Sequence, residues 1–230
     1  MAYWALKIVF TPVLRVLFRV RAQGTQCVPR RGPGILASNH HSFIDSVFLP
    51  LVVRRRVTFV AKAEYFESWK TAWFFRAVGM IPLKRGGGPA SERALAAARE
   101  VLEGGGLLGI YPEGTRSPDG RLYKGHTGAV RLSLQCNAPI VPVAQFGTSE
   151  VQPIGAMWPK LFRRVEVKMG TPLCWGGGAG DPEELRAFTD ELMTAIAGLS
   201  GQEVVPYYAS RDKGLLSAPG SEADPIPARA

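Results

Sequence analysis

Short apolar runs recur along this chain with helix-like stretches between most of them, and that alternation restricts its fold more than any other feature. The runs are GILAS at 34–38, VTFVA at 57–61, GMIPL at 79–83, LLGIY at 107–111, PIVPVAQF at 139–146 and RVEVKM at 164–169. Their length and β-branched content predict strands. Helices are predicted over 43–53, 65–77, 90–103, 125–136 and 181–199. Ser91 is a candidate N-cap for the third, with Gly104-Gly105-Gly106 as its stop, and the last opens on Asp181-Pro182. Strands alternating with helices predict an α/β domain: a central mixed, largely parallel sheet flanked by helices. The prolines of PIVPVA predict edge or irregular pairing at that strand.

At 230 residues and 25.0 kDa the chain suits one domain with a small appendage. We expect an N-terminal segment over 1–22, the domain over 23–200 and a flexible tail over 201–230, where Pro, Ser, Ala and Gly lack periodicity. Hydrophobic residues at 46% exclude wholesale disorder. Cys27, Cys136 and Cys174 lie far apart with no CxxC pair, which argues against a disulfide framework or a zinc cage and for a reducing compartment.

The net charge of +9 is uneven. Residues 1–88 carry 14 Lys and Arg against 3 Asp and Glu, while the remainder is nearly balanced. A basic block reads as a surface for polyanions or as a solvated face. The first residues favour lipid. In AYWALKIVFTPVLRVLFRV, Lys7, Thr11, Arg15 and Arg19 recur every fourth residue, a polar stripe on a helix that is otherwise almost wholly apolar. Cations within the segment make a bilayer crossing costly, and no small-residue cleavage site follows. We therefore expect an amphipathic interfacial helix whose cations reach headgroups; the bland reading is a helix packed on its own domain.

Three segments placed just after predicted strands could do chemistry. In Asn39-His40-His41-Ser42-Phe43-Ile44-Asp45, a loop His40 and a helix-start Asp45 can converge, the carboxylate fixing the imidazole tautomer and freeing the other nitrogen as a base. His41 has only Ser46 at the same spacing. Lys84-Arg85, followed by three glycines, suits a phosphate. Tyr111-Pro112-Glu113-Gly114-Thr115-Arg116-Ser117 places a carboxylate, a hydroxyl and a guanidinium in one turn. Each also has a structural reading: a satisfied histidine beside a capping aspartate, a surface cation pair, a tight Pro-Glu-Gly turn.

Taken in order, these blocks resemble the lysophospholipid (1-acyl-glycerol-3-phosphate) acyltransferase family of the glycerolphosphate acyltransferase superfamily. NHHSFID is similar to its NHxSxxD block, GMIPLKR to its second, YPEGTRS to its FPEGTRS block with Tyr111 for Phe, and PIVPVA to its fourth. The resemblance spans roughly 24–170. It implies acyl transfer from a thioester to the free hydroxyl of 1-acyl-glycerol-3-phosphate, giving phosphatidic acid, with His40 as base and Asp45 as its orienter. It further implies that Arg85 and Arg116 hold the acceptor phosphate, with Glu113, Gly114 and Thr115 in the same pocket. Acyl-CoA or acyl carrier protein is implied as co-substrate, with no cofactor and no metal, and no covalent acyl-enzyme is expected.

Other expectations follow from this reading. The protein is placed on the cytoplasmic face of the cell membrane, peripheral or monotopic, against anionic lipid and without nucleic acid. Arg54-Arg55-Arg56 would add to that attraction or form a solvated loop. Phe66, Trp69, Trp73, Phe74 and Phe75 would line an acyl groove or pack the core. The rival functions are acyl transfer to another lysophospholipid or a glycolipid acceptor, and a non-catalytic membrane or nucleic-acid binding module.

Overall fold

The computed structural model describes residues 2–62, 67, 80–83 and 89–209. The strands are β1 (Arg21–Gln23), β2 (Gly34–Ser38), β3 (Val57–Lys62), β4 (Ile81–Leu83), β5 (Leu107–Ile110), β6 (Leu122–Tyr123), β7 (Ile140–Phe146), β8 (Glu166–Met169) and β9 (Val204–Val205). The helices are α1 (Ala2–Leu17), α2 (Asp45–Val52), α3 (Pro89–Glu103), α4 (Gly128–Cys136), α5 (Thr148–Val151) and α6 (Pro182–Ser200). Seven strands form one sheet in the order β1-β8-β7-β2-β5-β3-β4. Every neighbouring pair is parallel except β7 with β8. β6 and β9 make a separate two-stranded pair. The predicted α/β domain is therefore observed, with the six predicted strands in it.

Both faces of the sheet are covered, which explains why its strands read as unbroken apolar runs. Side chains alternate across the pleat: Ile35, Leu108 and Ile140 pack with Leu102, Leu132, Leu192 and Ile196 of α3, α4 and α6. Their neighbours Leu36, Leu107 and Val141 point the other way, toward Leu49 and Val52 of α2 and toward Phe59 and Val167. β2 is buried at all five residues. Gly109 in β5 faces Phe59 across the ladder, and a Cβ there would stand 2.4 Å from that ring. The missing side chain is what seats Phe59.

Several expectations change. β7 is an interior strand although Pro142 lies in its middle. Pro142 accepts from the Gly170 N–H at 2.9 Å, so its missing donor faces the side of β8 just where that strand ends. α3 begins at Pro89, which puts Ser91 inside the helix rather than at its cap; proline is well placed in a first turn. Residues 201–209 of the expected tail are docked: β9 pairs with β6, and Val205 and Ala209 pack on Tyr123. The predicted helix over 65–77, the aromatic set from Phe66 to Phe75, and residues 210–230 lie outside the described residues.

Of the expected stripe, Lys7 and Thr11 are half-buried against the domain, while Arg15 and Arg19 are exposed. The Lys7 ammonium donates to the carbonyls of Val53 and Arg55, and Arg15 reaches the Leu51 carbonyl at 3.4 Å. Burial, with Arg15 adding to it, lowers the Lys7 pKa to about 8. These carbonyls lie at and just beyond the C-terminal end of α2, where free acceptors gather. Arg55 likewise holds backbone, donating to Pro29 O at 2.8 Å and to Gly105 O, so it serves the fold rather than a headgroup. Arg56 lies over the Tyr3 ring.

Candidate active site

Because β2, β5, β3 and β4 are neighbours and parallel, the loops that follow them leave from one edge of the sheet, the usual place for a site in such a fold. The loop after β2 carries His40 and the loop after β5 carries Glu113 to Arg116. Chain leaves β4 at this edge too, just before Lys84 and Arg85, which lie outside the described residues.

His40 Nδ1 is 2.8 Å from Asp45 Oδ2. A carboxylate only accepts, so Nδ1 carries the proton and Nε2 presents its lone pair. The same Oδ2 accepts from the N–H groups of His41 and Ser42, each at 2.8 Å. Asp45 is fully buried at the start of α2, a position where the helix dipole favours an anion. Its Oδ1 is buried with no partner among the described residues.

The backbone of His40 is held on both sides by the second loop. Its N–H donates to Glu113 Oε1 at 3.1 Å, and its carbonyl accepts from the Ser117 N–H at 2.7 Å. Its ring stacks on Tyr111 with centroids 3.8 Å apart and planes 9° from parallel. Tyr111 stacks in turn on Phe59, which Gly109 seats. The Tyr111 hydroxyl pairs with Ser46 Oγ at 2.9 Å, and burial, reinforced by the charge of Asp45, pushes its pKa well above the usual value of 10. That hydroxyl is the difference from a Phe at this position, and it ties the stacked ring to α2. With its backbone, ring face and Nδ1 all engaged, His40 has one free working atom, Nε2, on a side chain that keeps 17% of its surface exposed.

Glu113 lies inward, 2% exposed, and does not reach out to a substrate as expected. Oε1 takes the His40 N–H and Oε2 the Tyr123 N–H at 3.0 Å. It is a positioning residue that joins three segments. Burial raises its pKa to about 7, against the two backbone donors that favour the anion. A folded pKa above the unfolded 4.5 means that its contribution to stability is complete below about pH 4.5 and is lost as pH rises through about 7. Over that window wild type should lose up to about 3 kcal/mol that a Glu113→Gln variant does not. The variant should also be less stable by about 1–3 kcal/mol, because one amide oxygen cannot serve two N–H donors. Urea unfolding at several pH values from about 4.5 to about 7 measures both; parallel pH slopes would mean that Glu113 ionises as an ordinary carboxyl.

Gly114 sits in the left-handed region at φ 69, its N–H bonded to Tyr111 O at 2.9 Å, with the His126 ring close above. Thr115 and Arg116 follow on the same turn, both half-buried.

Two further groups were not foreseen. The Asn39 side chain extends the ladder beyond β2: its Oδ1 accepts from Gln145 N at 2.8 Å and its Nδ2 donates to Gln145 O at 3.2 Å. Gln202, just after α6, accepts from Asn39 Nδ2 at 2.8 Å and donates through Nε2 to His41 Nε2 at 2.7 Å and to Gly120 O at 2.6 Å. Burial lowers the His41 pKa, consistent with a neutral ring accepting from an amide. His41 is thus a brace, and His40 is the member of this pair whose Nε2 is free.

Comparison with known proteins identifies the family. A family model described as Acyltransferase matches residues 19–145, more than half of the chain. The chain is 30% identical over 140 residues to the chloroplastic 1-acyl-sn-glycerol-3-phosphate acyltransferase BAT2 of Brassica napus, covering 60% of this chain and 40% of that protein. With the 1-acyl-sn-glycerol-3-phosphate acyltransferase of Bacillus subtilis it shares 26% over 189 residues, covering 80% and 89% respectively. The chain thus spans about two fifths of the length of the plant relative but most of the bacterial one. The crystal structure of the 1-acyl-sn-glycerophosphate (LPA) acyltransferase PlsC from Thermotoga maritima superposes with a TM-score of 0.62 at 27% identity, over 88% of this chain and 74% of that one. With a family model matched over more than half of its length, the chain belongs to the acyltransferase family.

Proposed function

We propose that the protein transfers a fatty acyl group from an acyl thioester, on coenzyme A or acyl carrier protein, to the free hydroxyl of 1-acyl-glycerol-3-phosphate. The observation that carries this is the 2.8 Å His40–Asp45 contact with Nε2 left free. Nε2 removes the hydroxyl proton as the oxygen attacks the thioester carbonyl, while the buried Asp45 carboxylate steadies the imidazolium. The tetrahedral intermediate collapses with cleavage of the C–S bond, and the proton held on Nε2 passes to the departing thiolate. A thiolate is a good leaving group, so one base suffices and no acyl-enzyme is needed.

Arg116, and Arg85 beyond the described residues, are proposed to hold the acceptor phosphate by bidentate bonds. Gly114 and Thr115 shape the same pocket, and Glu113 acts on it through the His40 loop. The protein is proposed to work as a peripheral enzyme on the cytoplasmic face of the cell membrane, where the lysolipid acceptor resides. Among the described residues no helix is long and apolar enough to cross a membrane.

The test is thiol release from acyl-CoA, and from acyl carrier protein loaded with the same chain, with and without lysophosphatidate. Release that depends on lysophosphatidate supports the proposal, and the faster donor identifies the thioester used. Release with lysophosphatidylglycerol but not lysophosphatidate would replace the acceptor. Silence with every donor and acceptor would overturn the activity.

A further inference from the structure

α1 is the inverse of an ordinary surface helix. Its Lys7 turns inward to backbone carbonyls, while Ile8, Val9 and Val16 are 72%, 61% and 77% exposed. A globular domain in water gains nothing by this arrangement, because the large apolar side chains stay hydrated. A second exposed set lies far away in sequence, in the loop 152–162, where Met157, Trp158 and Phe162 are 80%, 78% and 65% exposed. The two sets meet at the C-terminal end of α1. Phe162 N donates to Leu17 O at 3.1 Å, Val165 N donates to Phe18 O at 3.0 Å, and Phe18, Val151 and Val165 share one buried cluster.

We infer that the loop 152–162 is a second membrane-inserting element, which enters an anionic lipid surface together with the outward face of α1. The inference deepens the membrane placement proposed above and rests on it. Charge selects the occupant. Arg19, Lys160, Arg163 and Arg164 neighbour the exposed apolar residues in sequence, and neither residues 1–22 nor 151–165 contain a carboxylate. A second copy docked symmetrically would bring these cations face to face, whereas anionic headgroups complement them. Trp beside Lys and Arg also suits the depth at which headgroups meet acyl chains.

The loop is tied to the chemistry at its near end. Ser42 Oγ, two residues from His40, donates to Gln152 O at 2.7 Å. Insertion of the loop therefore sets how the His40 edge of the sheet lies against the bilayer, where a lysolipid hydroxyl stands at the headgroup level.

The test uses the full chain and vesicles of phosphatidylcholine with or without phosphatidylglycerol, with partition read by sedimentation. A Met157→Ser/Trp158→Ser variant, whose changes are fully on the surface, should bind the anionic vesicles about tenfold or more weakly than wild type, with an unchanged thermal midpoint. As a second reading, lipids brominated in their acyl chains should quench Trp fluorescence less in Trp158→Phe than in wild type. Equal partition of the double variant, or equal quenching of Trp158→Phe, would overturn the inference. So would lipid-free wild type sedimenting as a dimer that the double variant breaks into monomers, since the patch would then be a protein interface. Neither reading needs turnover: vesicle binding lost with the loop stands even if acyl transfer fails, and acyl transfer stands if binding ignores the loop.

Discussion

A His40→Ala variant should lose acyl transfer by about three to four orders of magnitude while remaining folded and able to bind vesicles. General-base assistance of a hydroxyl is worth about 10²–10⁴ in rate. His41, the nearest candidate, has its Nε2 bonded to Gln202 and its pKa lowered by burial, so it cannot take over from where it sits. The fold tolerates the loss because His40 is fixed largely through its backbone, by Glu113 and by the Ser117 N–H, and alanine keeps both bonds. What disappears is the stacked contact with Tyr111 and the bond to Asp45 Oδ2, which keeps its two backbone donors, a stability cost of about 2–4 kcal/mol in all. Turnover by thiol release, set beside urea unfolding midpoints, separates the two effects. A variant within tenfold of wild type would remove His40 from the mechanism.

Asp45 should give two different results depending on the replacement. Asparagine can put its carbonyl oxygen where Oδ2 stands and still meet the His40, His41 and Ser42 donors. Its NH₂ then occupies the place of Oδ1, which is buried with no partner among the described residues, at a cost of about 1–3 kcal/mol. The negative charge that stabilises the imidazolium is gone, so activity should fall about 10³-fold in a protein that still folds. Alanine strands all three donors, two of them backbone N–H groups inside the protein, and should cost several kcal/mol more in stability. Comparing kcat with the unfolding midpoint across the pair reads charge and scaffold separately. If Asp45→Asn kept most of its activity, the aspartate would be a helix-start brace and nothing more.

How much of this could be read from residue order depends on the distance over which each interaction acts. The strands were legible because a sheet covered on both faces needs apolar residues at successive positions, and β2 and β7 have them. His40 and Asp45 were legible because their pairing spans five residues and lies within one loop and one helix start. The bracing of His40 was not. Glu113 sits 73 positions away and Gln202 lies 161 positions from His41, and each acts on backbone or on a neutral ring, contacts that leave no pattern in either segment. Gln202 fell inside a stretch whose composition reads as tail, though nine of its residues are docked. The stripe on α1 was visible as periodicity, but periodicity does not say which way a stripe points: water and the free carbonyls at the end of α2 both satisfy an ammonium group. Pro142 misled for a similar reason, since a proline is excluded from a sheet interior only where a neighbouring strand needs its N–H.

The Gln202 brace also bears on the order in which the protein becomes active. During synthesis the histidine loop emerges early, then waits for the β5 loop, then β7, and last for the residue just past α6 that bonds Asn39 and His41. None of these bonds is local, so each closes a long loop of chain, and loop closure is the slow part of assembling such a topology. α1, with its apolar face outward, leaves the ribosome before any of this. On the proposed membrane placement, the molecule is held at a lipid surface as a nascent chain while its chemistry is still incomplete, and it acquires its working site only when nearly the whole described chain is in place.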